Sequence, residues 1–227
     1  MDARFLPLRR LFLKRLAQFC FFCTTRVTVT GIEHLPDGPV MLAANHLHHL
    51  DSPLMVAVLP TSPEILALSE RRKWWVTPIV LFYGAILVKR DKVDRSALRA
   101  VLAAFKEKKS VLLFPEARIS RQGGLLEARD GVGYLALQGN VPVVPIAICG
   151  TESVTTAWRQ LRRPHITVTI TPPLTSPTRN RTQSRREQRK AFTHAIMSRI
   201  ATHLPLAYRG YYTHSDRDPE SGTTENS

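Results

Sequence analysis

The sequence predicts an α/β fold: a single domain with a mostly parallel central sheet flanked by helices, preceded by an amphipathic N-terminal helix. Three observations predict it. Seven short runs rich in Val, Ile, Leu and Thr recur along the chain, several nearly continuous in apolar residues, as strands covered on both faces are. Helical patterns lie between these runs, and strands that alternate with helices favour parallel pairing. A length of 227 residues, 44% of them apolar, suits one sizeable domain with a real core and leaves little room for a second.

Residues 1–25 read as one amphipathic segment. Phe5, Leu8, Leu11, Phe12, Leu16, Phe19 and Phe22 keep three-and-four spacing with Arg15 as an interruption, while Arg9, Arg10 and Lys14 fall largely off that stripe. A cationic face opposite Phe and Leu is the composition of a helix lying on a lipid surface, although a terminal helix packed on its own core is spaced in the same way. The charges run through the apolar residues instead of preceding them, so this is not a signal peptide. No run of about 18 uninterrupted apolar residues occurs, so any membrane contact is expected from the surface. The nearest stretch, 74–88, is cut by Thr77, Pro78 and Gly84.

The strand runs are 26–30, 39–44, 64–68, 84–88, 110–114, 142–148 and 165–170. The clearest helix covers 93–108, where Leu98, Val101, Leu102 and Phe105 make one stripe and Lys106, Lys108 and Lys109 close the last turn. Segment 171–181, rich in Pro, Thr and Ser, reads as a linker to a basic helix over about 184–203. The polar tail, 213–227, is expected to be disordered, which leaves 26–212 as the folded domain.

Lys and Arg number 32 against 18 Asp and Glu, a formal net charge of +14 that suits nucleic acid, anionic lipid or phosphorylated substrates. Zinc-finger spacing, an aromatic RNA-binding signature and a basic heptad region are all missing, so no nucleic-acid partner is expected. Three cysteines exclude a disulfide framework and point to a reducing, cytosol-facing compartment. Cys20 and Cys23 have C-x-x-C spacing but lie on the apolar N-terminal segment instead of after a strand, which argues against a thioredoxin-like role.

In parallel α/β folds, chemistry collects where strands end at their carboxyl side. Strand 39–44 runs into Asn45-His46-Leu47-His48-His49-Leu50-Asp51-Ser52-Pro53. Asp51 or Ser52 is expected to cap the following helix, with Pro53 in its first turn. A tight loop can also fold Asp51 back onto His46. An imidazole held by a carboxylate has a fixed tautomer and a basicity poised near neutral pH, as a general base needs. A metal site built on the His cluster, and a purely structural loop, remain open alternatives. The H-x-H-x-D-H spacing of one metallohydrolase class fails, because position 50 is Leu and no His follows Asp51. His48 and His49 are expected to be solvated.

Strand 84–88 ends in Lys89-Arg90, two cations matched to phosphate oxygens. Strand 110–114 ends in Pro115-Glu116-Ala117-Arg118-Ile119-Ser120, followed by a turn at 122–124. Strand 142–148 carries Pro142 and Pro145, unusual for a central strand.

Asn45-His46-x4-Asp51, Gly84 to Lys89-Arg90, Phe114-Pro115-Glu116-Ala117-Arg118-Ile119-Ser120 and Val141-Pro142-Val143-Val144-Pro145, in that order, resemble the four blocks of the PlsC-type glycerolipid acyltransferases. The likeness covers roughly residues 27–150, with a weaker one over 200–212. It implies transfer of a fatty acyl group from acyl-CoA or acyl carrier protein to the free hydroxyl of 1-acylglycerol 3-phosphate, giving phosphatidic acid. Another lysophospholipid, such as lysophosphatidylethanolamine, or glycerol 3-phosphate is the alternative acceptor. By resemblance His46 takes the proton from that hydroxyl and Asp51 orients His46, while Asn45, Lys89, Arg90, Glu116 and Arg118 bind the acceptor. No metal and no cofactor are implied besides the acyl donor, and the expected place of work is the anionic, cytoplasmic face of the cell membrane. The sequence departs from the family at Ala117, where glycine is usual, at Arg118, one position early, and at Ile119, where arginine is usual. Lys89 stands where many members have Asp, and the basic residue that often follows the third block is represented at best by Arg129. Ala117 restricts the backbone if a positive φ is used there.

Overall fold

The structure is a computed structural model and describes residues 3–68, 76–88, 94–120, 123–177 and 182–213. Among these residues seven strands form one sheet: β1 (Arg26–Thr30), β2 (Met41–Ala44), β3 (Glu64–Leu68), β4 (Ile86–Val88), β5 (Val111–Leu113), β6 (Val143–Cys149) and β7 (His165–Ile170). Each expected run holds a strand, some of them trimmed at the ends. The order across the sheet is β1-β7-β6-β2-β5-β3-β4. All neighbours pair in parallel except β6 and β7, so β1 and β7 run against the other five strands. The carboxyl ends of β2, β3, β4, β5 and β6 therefore share one edge of the sheet.

β2 sits in the middle, and its period of two divides the core. Met41 and Ala43 pack in the apolar layer beneath α4 (Arg95–Lys106), α5 (Gly131–Gly139) and α7 (Arg185–Thr202). Leu42 and Ala44 pack in the opposite layer, with α2 (Asp51–Val58) and with Phe21 of α1 (Leu6–Thr24). Cover on both faces explains why these strands read as unbroken apolar runs. Asp94 starts α4 by accepting the backbone N–H groups of Ser96 and Ala97, and a Ser184–Glu187 capping box starts α7.

Pro145 lies inside the central strand β6. Its carbonyl accepts the N–H and hydroxyl of Thr171 at 3.0 Å each, so the proline nitrogen faces the side where β7 has just ended. No ladder bond is lost there. The expected linker is therefore anchored at its start: Thr171 is buried, and Leu174 pairs with Val143. Residues 178–181 and the expected disordered tail beyond Thr213 lie outside the described residues.

The N-terminal helix forms as expected, but Arg10 and Lys14 point into the protein. Arg10 is buried, forms a bidentate pair with Glu64 (3.0 and 2.6 Å) and donates to the carbonyl of Tyr83. Lys14 donates to the carbonyls of Leu59 and Pro60. Both cations thus serve carbonyls at or just beyond the carboxyl ends of α2 and α3 (Val76–Tyr83), where helix dipoles favour positive charge. Phe5, Leu8, Leu11, Phe12, Leu16, Phe19 and Phe22 are left facing outward, with Phe22 77% exposed. Ile79, Leu81 and Phe82 of the neighbouring α3 extend this apolar surface. Among the described residues no helix is long and apolar enough to cross a membrane.

Candidate active site

The site is built from the loops that leave β2 and β5. β2 runs straight into Asn45, whose amide exchanges two hydrogen bonds with the backbone of Ile148 in β6 (2.9 and 2.7 Å). Asn45 is fully buried and occupied by the sheet, so it is a clamp on the strand end and not a ligand for the acceptor. That clamp fixes where His46 emerges.

Asp51 does not cap α2, and neither does Ser52: the cap position is Leu50, and no side chain bonds there. Instead the Asp51 carboxylate turns back under the loop. Its Oδ2 accepts the N–H groups of Leu47 (2.7 Å) and His48 (2.8 Å) and lies 2.8 Å from Nδ1 of His46. An acceptor already serving two N–H groups takes a third proton donor at Nδ1, which leaves the lone pair on Nε2. Asp51 is fully buried, whereas the His46 side chain is 16% exposed, so the ring reaches the surface from a fixed base. Phe114 stacks on it with ring centroids 4.1 Å apart. His48 is half-buried and bonded to Leu50 and Thr155, unlike the solvated residue expected, while His49 is exposed. Among the described residues no three His, Cys, Asp or Glu side chains gather as a metal site.

The third block folds against this loop. The Glu116 carboxylate accepts the N–H of His46 on Oε1 (2.9 Å) and the N–H of Leu126 on Oε2 (2.8 Å), and the N–H of Ser120 donates to the carbonyl of His46 (2.8 Å). Glu116 is 2% exposed, so it joins two loops instead of presenting its carboxylate to an acceptor. Burial pushes its pKa up to about 7; the two N–H bonds and the Arg118 guanidinium oppose the rise, and Asp51 adds to it. Ala117 has φ +53°, in the left-handed region that favours glycine, at about 1 kcal/mol of backbone strain. Arg118 is exposed, and with Arg129, Glu127, Ala128 and Glu116 it lines a cleft of about 280 Å³. Glu116 connects His46 to this cleft, since it lines the cleft and binds the backbone N–H of His46, while His46 itself is not among the lining residues. Lys89 and Arg90 lie outside the described residues; β4, which leads to them, ends at the same edge of the sheet.

Sequence reasoning missed the platform under the imidazole and the partners of Glu116. Phe114 had a visible signal, an aromatic ring directly before Pro115-Glu116. The backbone N–H groups of Leu47, His48 and Leu126 had none, because every residue carries one.

A parallel sheet with a His–carboxylate pair at a strand exit and guanidinium groups in the adjacent cleft is equipped to take a proton from an alcohol that carries an anionic group. Similarity to known proteins narrows this class. The acyltransferase family model matches residues 26–149, and the chain belongs to that family. It is 28% identical over 160 residues to a 1-acyl-sn-glycerol-3-phosphate acyltransferase of Limnanthes douglasii, covering 65% of this chain and 54% of that one. It is 26% identical over 143 residues to the enzyme of the same name from Salmonella typhimurium, covering 60% of this chain and 57% of that one. The chain thus spans just over half the length of these curated relatives. The crystal structure of the 1-acyl-sn-glycerophosphate acyltransferase PlsC from Thermotoga maritima superposes with a TM-score of 0.62 over 86% of this chain and 82% of that one, at 20% identity, and so shares the fold.

Proposed function

We propose that this chain transfers a fatty acyl group from a thioester, acyl-CoA or acyl carrier protein, to the free hydroxyl of 1-acylglycerol 3-phosphate, forming phosphatidic acid. The observation that carries the reading is the His46–Asp51 pair, with Nδ1 held at 2.8 Å and Nε2 left to accept a proton. Nε2 takes the proton of the acceptor hydroxyl as its oxygen bonds to the thioester carbonyl carbon. The carbon–sulfur bond then breaks, and the leaving thiolate takes the proton back from the imidazolium. Asp51 holds the ring in one tautomer and stabilises its charged form. The donor is already activated, so positioning and proton removal supply the rate. Arg118 and Arg129 are the described cations of the adjacent cleft, suited to the acceptor phosphate, and the family resemblance adds Arg90 to them.

The apolar surface of α1 and α3 supports work on a lipid layer, since exposed Phe and Leu lose contact with water there. Arg4 and Arg15, exposed cations of the same segment, favour an anionic one. The deciding experiment follows labelled acyl transfer by purified protein to 1-acylglycerol 3-phosphate, lysophosphatidylethanolamine and glycerol 3-phosphate. Transfer to the first, lost in His46→Ala, is the expected result. No transfer to any acceptor, or transfer that survives His46→Ala, overturns the proposal. A preference for another acceptor would trace to the Ala117-Arg118-Ile119 departure.

A further inference from the structure

The last described segment of the chain crosses back over the loop that follows the third block. After α7 it forms two 3₁₀ turns, Leu206–Tyr208 and Gly210–Tyr212. The N–H of Leu125 donates to the carbonyl of Tyr208 and the N–H of Tyr211 to the carbonyl of Leu125, at 2.9 Å each. The Tyr212 hydroxyl accepts the N–H of Ala128 at 3.1 Å, and the Tyr212 side chain is buried among core residues. Tyr208 donates to Glu152, just past the end of β6 (2.6 Å). The approach is close: a Cβ on Gly210 would lie 2.3 Å from the carbonyl oxygen of Leu125, and φ at Gly210 is +47°. Leu125 and Ala128 flank Leu126, whose N–H binds Glu116, and Glu116 binds the N–H of His46. Glu127, Ala128 and Arg129 line the cleft, whose charged lining is completed by Arg118 and Glu116.

We infer that residues 208–212 are a brace for acceptor binding, with Tyr212 and Gly210 as positioning residues that hold the 124–129 loop, and through it Arg129 and the Glu116 link, in register with His46. Neither residue touches a reacting atom. The physical reason is that this loop is irregular: among the described residues it has no ladder of its own, and the brace supplies hydrogen bonds to Leu125 and Ala128 that a strand neighbour would supply elsewhere. Loosening it displaces the cleft, and misplacement of substrate by about 1 Å can cost up to 10²-fold.

The inference rests on the acyltransferase reading, and its test keeps the two apart. The wild-type chain, Tyr212→Phe, Gly210→Ala and Leu206→Ala, the last an exposed site that precedes the brace, are compared in steady-state acyl transfer. Tyr212→Phe keeps the buried ring and removes only the hydroxyl. The expected result is an acceptor KM raised about tenfold in Tyr212→Phe and more in Gly210→Ala, with donor KM within about twofold of wild type and Leu206→Ala unchanged. Unchanged acceptor KM in both variants, or donor and acceptor KM rising together, overturns it. Amide exchange by NMR supplies the readout that needs no activity. Faster exchange at Leu125, Leu126 and Ala128 in Gly210→Ala supports the brace, and unchanged protection overturns it even if the wild type transfers no acyl group.

Discussion

At the scale of single residues, one carboxylate oxygen organises the chemistry. Oδ2 of Asp51 gathers two backbone N–H groups and the Nδ1 side of His46, so the loop and the imidazole are fixed by the same atom. Asp51→Asn can still present an oxygen to those donors, but it removes the negative charge that stabilises the imidazolium formed on proton transfer. We expect kcat to fall by about 10²–10⁴, with acceptor KM changed far less, in the labelled-transfer assay. The five-residue spacing of His46 and Asp51 was legible in the sequence, because a loop of that length closes on itself. The inward turn of Asn45 and Glu116 was not legible, since a polar residue at a strand exit reads the same whether it faces substrate or backbone. Burial distinguishes them, and burial belongs to the fold.

Among the elements, α1 departs furthest from its pattern. Its spacing specified a stripe, and the stripe is there, but which side would dock depended on what α2 and α3 offer. They offer helix-end carbonyls, and the start of β3 offers Glu64, which Arg10 and Lys14 satisfy. Arg10→Ala leaves Glu64 buried beside Lys109 at 3.8 Å, a weaker partner. Loss of a buried partner costs about 3–5 kcal/mol, and the lower end is expected here, measured by urea denaturation. The outward side predicts the opposite behaviour. Phe12, Phe19 and Phe22 are at least 61% exposed, so replacing all three by Ser should leave the melting temperature nearly unchanged. The same variant should lose at least ~100-fold in partitioning to phospholipid vesicles, read by co-sedimentation, because each ring forgoes burial worth about 1.5 kcal/mol or more.

For the whole molecule, Glu116 ties stability to pH. Its carboxyl titrates near 4.5 in the unfolded chain and at about 7 in the folded one. Between those values the native state binds a proton that the unfolded state has released. The free energy of unfolding from this group therefore declines as pH rises from about 4.5 to about 7 and is level above that. Denaturation midpoints at pH 5, 6, 7 and 8 should show this slope in wild type and lack its contribution in Glu116→Gln. If both proteins have the same slope, the burial of Glu116 is not what sets it.

The sequence by itself determined the seven strands, the helices between them, the His–Asp spacing and the apolar stripe, because each is a local pattern of period, turn chemistry or short loop closure. Tertiary structure alone decided that β7 runs against β6, that Arg10 and Lys14 of α1 face inward, that Glu116 joins two loops, and that residues 208–212 lie over residues 124–129. Each of these depends on partners distant along the chain, and a buried polar group or charge takes whichever partner the packed fold brings within reach.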